Sequence, residues 1–276
     1  MTVARYPIFL RSVVIDDDNN DLRIEEGGTQ YTAIIPAGTY YLRGDGAADD
    51  LCLAVKTAME AASANTNTYS VTVSFSVALG QPCATVTIAR ATGASTFRPL
   101  WASLNFESES LGFTRTNPGA AGTSFTSSFT PDAVWCASLG AFIAKESPRE
   151  ENDATVLRKK NGRTSGILRG GPYHGREILL NLLDGRRATT KCPTSTITDT
   201  RAALNTFLQA VSDGSVFEFH RQTTTMLTST TLSALSSSTL VGDYVVADSL
   251  AKEYAPQRNI DGLSVYDVTL PIWEVT

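Results

Sequence analysis

Histidine is nearly missing from this sequence: of 276 residues, only His174 and His220 carry an imidazole. His174 stands at the end of one expected strand and His220 in another, with no second ligand-type residue at metal spacing, so neither a metal centre nor a histidine-based catalytic pair is expected. The four cysteines, Cys52, Cys83, Cys136 and Cys192, stand 31, 53 and 56 positions apart. None forms a CxxC pair, which leaves zinc and thioredoxin-like chemistry without support. Buried free thiols in a reducing compartment are the expectation instead. Charged residues make up 18% of the chain, and its formal charge is −5. Charge is thus sparse and of the wrong sign to draw the whole molecule to nucleic acid. No run approaches the roughly 18 apolar residues of a membrane-spanning helix. The opening MTVARYPIFLRSVVIDDDNND does not read as a secretory signal, because Arg11 breaks its apolar run and carboxylates follow. GxSxG, P-loop, HExxH and dinucleotide-binding glycine patterns are absent too. No catalytic residue, metal site or cofactor is therefore expected.

Short motifs that are present carry little. Asp16-Asp17-Asp18-Asn19-Asn20-Asp21 is oxygen-rich, but it fails as an EF-hand loop, with Asp21 where Gly is needed and Gly27 where Glu is needed. A solvated turn is the expectation. Arg43-Gly44-Asp45 matches an adhesion tripeptide, yet it leads straight into a helix and reads as a plain cap.

What the chain has in quantity is serine, threonine and alternation. Tyr69, Val71, Val73, Phe75 and Val77 alternate with Ser70, Thr72, Ser74 and Ser76, the period of a strand with one buried face. After the turn at Gly80-Gln81-Pro82 the alternation resumes in Ala84-Thr85-Val86-Thr87-Ile88, which predicts an antiparallel hairpin over 69–90. Upstream, Leu51, Val55, Ala58, Met59 and Ala62 share one stripe of a helix over 49–62, with Asp49 and Asp50 at its positive end. Earlier strands are expected at 6–15, 21–25 and 30–43. The second half follows the same plan, with strands at 134–145, 154–159, 165–169 and 175–183. A helix over 199–212 carries Leu204, Phe207, Leu208 and Val211 on its stripe. Further strands follow at 216–220, 244–246 and 266–272.

Between the halves, Trp101, Phe106, Leu111 and Phe113 are expected to cap the first core. The stretch 115–131, rich in Gly, Ser, Thr and Pro, reads as a linker. The resulting fold class is α+β and β-dominated. Two antiparallel β-sheet domains, 1–115 and 132–276, each with one main amphipathic helix, are joined by 116–131.

One charge feature stands out. Arg158, Lys159, Lys160, Arg163, Arg169, Arg176, Arg186, Arg187 and Lys191 face only Glu177 and Asp184 within 158–191. The segment carries +7 on a chain whose remainder sums to −12. With Tyr173 as its only aromatic it lacks a base-stacking platform, so docking on an acidic protein surface is favoured over nucleic acid. Arg158, Lys159, Lys160 and Arg163 are the candidate contact residues. The Ser/Thr-rich connection 221–242 is a second segment able to reach a neighbour.

The segments YTAIIPAGTYYLRGDGAADDLCLAVKTAMEAA, YSVTVSFSVALGQPCATVTIAR and LWASLNFESESLGFT together resemble a domain of tail proteins from long-tailed bacteriophages. The later ALNTFLQAVSDGSVFEFHRQ and GDYVVADSLAKEYAPQRNIDGLSVYDVTLPIWEV are similar to minor-tail and distal-tail-like proteins. The resemblance implies a tail-tube-like fold and a structural role in the virion. It implies a ring of several copies, six in the simplest case, touching neighbouring tail proteins and made in the host cytoplasm. A carbohydrate- or receptor-binding tail-tip module is the alternative.

Overall fold

The computed structural model describes residues 3–64, 66–76, 84–103, 105–136, 142–158, 164–184, 204, 207–211, 215–225, 231–232, 234–246, 252–253, 258–260 and 263–275. The N-terminal half contributes β1 (Val3–Arg11), β2 (Val13–Ile15), β3 (Asp21–Glu26), β4 (Thr29–Ile34) and β5 (Gly38–Tyr40). Helix α1 (Leu51–Ala62) follows, then β6 (Thr68–Ser76), β7 (Ala84–Thr92), β8 (Phe97–Pro99) and β9 (Ser124–Thr126). The C-terminal half contributes β10 (Val134–Cys136), β11 (Phe142–Arg158), β12 (Thr164–Asp184), β13 (Phe217–Thr225) and β14 (Thr231–Leu232). It ends with β15 (Leu240–Val246), β16 (Lys252–Glu253), β17 (Arg258–Ile260) and β18 (Leu263–Glu274). Strands dominate, their pairings are antiparallel, and α1 is the one helix of seven or more residues among the described residues.

Helix α1 forms where its stripe was expected. Asp50 is its N-cap: its carboxylate accepts from the backbone N–H groups of Cys52, Gly44 and Gly46. Three donors explain how a carboxylate can be buried there. Leu51, Cys52, Val55, Ala58 and Met59 enter a core shared with the β6–β7 hairpin, whose register sets Val71 opposite Ile88 and Val73 opposite Val86. Thr72 and Thr87, on the alternate row, also pair. Alternation here maps directly onto an inner and an outer face.

The largest sheet runs β10-β1-β13-β15-β18-β12-β11, with β16 and β17 added on β18. β11, last in that order, also lies against β1, so the sheet curls back on itself. Its inner face holds a second core of Ile178, Leu180, Phe217, Phe219, Tyr244, Val268, Leu270 and Ile272. Leu204, Phe207, Leu208 and Val211, the expected helical stripe, enter that core. Residues 204 and 207–210 are helical, and the rest of the expected helix lies outside the described residues.

Strand β1 stands between the two cores. Ile8 and Leu10 belong to the first and Phe9 to the second, as alternation requires. On β10, Val134 and Cys136 likewise face the first core while Trp135 faces the second. Burial on both faces is why Tyr6-Pro7-Ile8-Phe9-Leu10 reads as an unbroken apolar run.

The aromatic stretch that precedes residue 115 closes the first core. Trp101, Phe106, Leu111 and Phe113 all enter it, Trp101 and Phe113 stacked with centroids 4.6 Å apart. Their segment is built of two 3-10 turns, Trp101–Ser103 and Ser108–Leu111. Gly112 ends the second turn at φ +76°, and a Cβ there would lie 2.3 Å from the Phe129 carbonyl oxygen. Residues 115–131 are held to the first half: β9 pairs with β7, and Gly122 bridges Phe97. The 221–242 connection also reaches back, with β14 on β6 and Leu235 buried in the first core. The Leu235 N–H donates to the Arg43 carbonyl at 2.9 Å.

The expectation of free thiols holds for Cys52, which is buried, but Cys136 is disulfide-bonded. Wide spacing along the chain says nothing about which thiols the fold brings together.

Phe9 meets the rings of Trp135, Phe207, Phe217 and Phe219 at 5.2 to 6.0 Å. Phe9→Ala is expected to cost about 3–5 kcal/mol, whereas Val14→Ala, at a residue 59% exposed, should stay within about 0.5 kcal/mol. Urea unfolding of both variants checks the contrast.

Candidate functional site

Strands β11 and β12 form a hairpin much longer than the sheet that carries it. They pair from Phe142 opposite Asn181 out to Arg158 opposite Thr164. β18 supports β12 only from Asp184 to Gly175. Beyond Gly175, residues 164–174 have β11 as their one partner among the described residues, giving a two-stranded arm roughly 30 Å long. Separate strands were expected here at 134–145, 154–159, 165–169 and 175–183, but β11 and β12 run on through Pro148, Gly170, Gly171 and Pro172. They are tolerated because the arm has no central strand to interrupt. The register slips between Glu151 and Asp153 and again before Ala154, bulges that bend such a ribbon.

The arm is anchored at its root. A Cβ on Gly175 would lie 2.4 Å from the Ile272 carbonyl oxygen and 2.7 Å from the Trp273 ring, so glycine is needed for β12 to lie this close to β18. Glu146 accepts from Arg176 at 2.5 Å and from Arg221 at 2.6 Å, and Arg176 also donates to the Tyr244 hydroxyl at 2.8 Å. β11, β12, β13 and β15 are thus tied together at one point. Burial works against the Arg176 charge, but its bonds to Tyr244 and Glu146 outweigh that and hold its pKa above the ordinary value.

Of the expected contact residues, Arg158 lies at the outer end of the arm, where it pairs with Thr164. Lys159, Lys160 and Arg163 lie outside the described residues, as do Arg186, Arg187 and Lys191. Arg176, counted in the basic segment, is spent on Glu146 inside the fold. His174 is exposed near the root.

A second polar cluster escaped the sequence reading. Arg43 donates from Nε and Nη2 to Glu218 at 2.6 to 3.0 Å and from Nη1 and Nη2 to Asp49 at 2.7 Å. It also lies over the Tyr41 ring at 4.8 Å. The side chains of Arg43 and Glu218 are only 13% and 4% exposed, and the pair joins positions 175 residues apart. His220 Nε2 lies 3.0 Å from Glu218 Oε2. Burial pushes the Glu218 carboxyl up, but bonds from His220 and Arg43 and the Arg43 charge bring it below the usual carboxylate range. The Arg43 bond likewise lowers Asp49. Asp243, without such a bond, is raised by burial and by the Glu218 charge. The Phe217-Glu218-Phe219-His220 alternation hides this cluster, because it reads as one buried and one solvated face. Both faces are buried.

The adhesion-like tripeptide is consequently not on display, since its Arg43 guanidinium is bonded inward. Asp16–Asp18 form a self-contained turn: the Asp18 N–H donates to the Asp16 carboxylate at 2.9 Å and the Asp16 N–H to Asn19 Oδ1 at 2.8 Å. Among the described residues no group of three or more His, Cys, Asp or Glu side chains is placed to hold a metal ion. One cleft of about 210 Å³ is lined by Arg11, Ser12, Asn19, Glu107 and Ser110, and another of about 160 Å³ by Trp101, Phe113, Thr114 and Phe125. No protein-family model matches the chain, and no curated protein sequence matches it.

Removing one partner of a buried ion pair strands the other. Arg43→Met is expected to cost about 3–5 kcal/mol. In the native chain the lowered Glu218 and Asp49 carboxyls contribute stability that is full above about pH 4–5 and is lost as pH falls through their folded values. The urea midpoint should therefore drop from pH 5 toward pH 3, and the drop should shrink in Arg43→Met.

Proposed function

We propose that this chain is a structural subunit of a bacteriophage tail, at the distal tail or baseplate, that assembles with copies of itself into a ring. The reading joins the sequence resemblance to one observation, the β11–β12 arm, whose outer end at Arg158 and Thr164 borders the basic residues of the sequence. A two-stranded ribbon is marginal by itself in water, and among the described residues neither outer edge beyond Gly175 has a further strand partner. A monomer gains nothing from extending it roughly 30 Å. Docked on a neighbour, the same ribbon gains a partner strand or a core.

Arg158, Lys159, Lys160 and Arg163 are its contact residues, meeting an acidic face on the next copy or on a neighbouring tail protein. The exposed Asp16, Asp17 and Asp18 offer one such face. A head-to-tail contact that closes by rotation gives a ring, and six copies is the expected number. In this reading the two cores correspond to two tail-tube-like domains joined near 116–131, the protein resides in the virion, and no cofactor, membrane, nucleic acid or catalytic step takes part. The alternative, a carbohydrate- or receptor-binding module, requires aromatic rings presented to solvent. Trp101 and Trp135 are instead buried, and Phe129, 58% exposed, is a single ring rather than a platform.

Light scattering and negative-stain images of the purified protein should give rings whose mass is a multiple of 29.6 kDa. Reversing the charge of Arg158, Lys159, Lys160 and Arg163 together should abolish them at low salt. For the native protein, rising salt should weaken assembly. Rings that form equally with all four charges reversed would remove the arm from the contact.

A further inference from the structure

We propose that the cleft between β2 and the second 3-10 turn binds a free amino acid, a small zwitterion whose carboxylate meets Arg11 and whose ammonium meets Glu107. The inference goes beyond the structural role and does not depend on it. Arg11, Ser12 and Asn19 come to this cleft from the N-terminal strands and their turn, Glu107 and Ser110 from the segment that closes the first core. Its volume of about 210 Å³ lies below the roughly 300 Å³ at which pockets for drug-sized ligands begin, so it suits a molecule of a few heavy atoms.

The fold leaves the polar groups of this cleft unspent. The Arg11 backbone N–H donates to the Ala133 carbonyl at 2.8 Å. Its guanidinium has no hydrogen bond or ion pair among the described residues, and its Nε is buried without a partner. Folded proteins rarely bury a donor in that way. Ser110 is only 3% exposed, and its N–H donates to the Glu107 carbonyl at 2.9 Å, yet its hydroxyl has no partner among the described residues. Asn19 differs, because its amide donates to the Val14 carbonyl at 2.9 Å and accepts from the Asp16 N–H at 2.8 Å. The donors left for a ligand are therefore the Arg11 guanidinium and the Ser12 and Ser110 hydroxyls.

Charge decides the class of ligand. Glu107 is exposed and stands at the start of the 3-10 turn without a side-chain capping bond. It lines the same cleft as Arg11, and no ion pair joins the two. Asp132 lies within electrostatic range of both and makes no bond to Arg11 either. A phosphate or other dianion would meet the guanidinium together with two carboxylates, whose repulsion offsets its attraction. A lone cation would meet Arg11. A molecule with one charge of each sign satisfies both: its carboxylate accepts from Arg11 and the serine hydroxyls, and its ammonium donates to Glu107.

Amide nitrogen-15 spectra of the full chain, titrated with glycine and with γ-aminobutyrate, test this across a short and a long separation of the two charges. Acetate, methylammonium and inorganic phosphate serve as partial probes. At least one of the two amino acids should shift the Ser12 and Ser110 signals saturably, with affinity about tenfold above that of acetate or methylammonium. Glu107→Gln should bring that affinity down to the level of acetate, and Arg11→Gln should remove binding of both. The absence of a saturable shift with either amino acid would overturn the proposal, as would acetate or phosphate binding as tightly as the better amino acid. So would an affinity unchanged in Glu107→Gln, a variant whose altered side chain makes no hydrogen bond among the described residues.

Discussion

The ion pair between Arg43 and Glu218 is the contact on which the two cores depend for their common seam. Arg43 belongs to the turn that caps α1, and Glu218 to the strand lying beside β1 in the curled sheet. Neither could be buried alone: an unpaired guanidinium or carboxylate in such a place costs several kcal/mol. Together, with Asp49 and His220 taking the remaining donors and acceptors, they allow a strand face to be closed that would otherwise need water. Asp50, Gly44 and Gly46 fix the turn from behind, and the Arg43 carbonyl receives Leu235 from the second half. Side chain and backbone of one residue therefore hold both directions of the crossing.

The rest of the architecture follows from how strand edges are satisfied. β1 is flanked on both sides, and from Tyr6 to Leu10 it is buried on both faces. β11 is the opposite case. Past its root it leaves the sheet, keeps β12 as its one strand partner among the described residues, and carries charges and Pro148 along its length. Edges of that kind discourage indiscriminate pairing while leaving a ribbon open to one particular neighbour. The Glu146 cluster and Gly175 fix where the ribbon departs, so the direction of the arm is set by buried geometry and its outer end by charge.

These two features separate stability from function. The Arg43 cluster lies between cores and is bonded inward, so its perturbed carboxyls report on the integrity of the fold. The arm runs beyond the residues that β18 supports, and the sequence near its outer end has a local excess of positive charge on an acidic chain. Perturbed acidity and candidate function thus occur in different places, because burial creates the first and the charge of the sequence marks the second.

By itself, the sequence determined the local elements. The period of two in 69–90 placed the β6–β7 hairpin, and the stripe from Leu51 to Ala62 placed α1. The aromatic positions from Trp101 to Phe113 marked the closing of the first core, since these patterns depend on neighbours a few residues away. The basic excess near Arg158 was equally legible, because charge is a property of composition. The tertiary structure decided everything that joins distant residues. Nothing local to Phe217-Glu218-Phe219-His220 reveals that its polar row is buried against Arg43. Likewise nothing local to Cys136 reveals its disulfide, and nothing in Pro148 or Pro172 reveals that β11 and β12 run on as one ribbon. Each of these turns on which surface arrives opposite, and that is fixed only when strands far apart in sequence share one sheet.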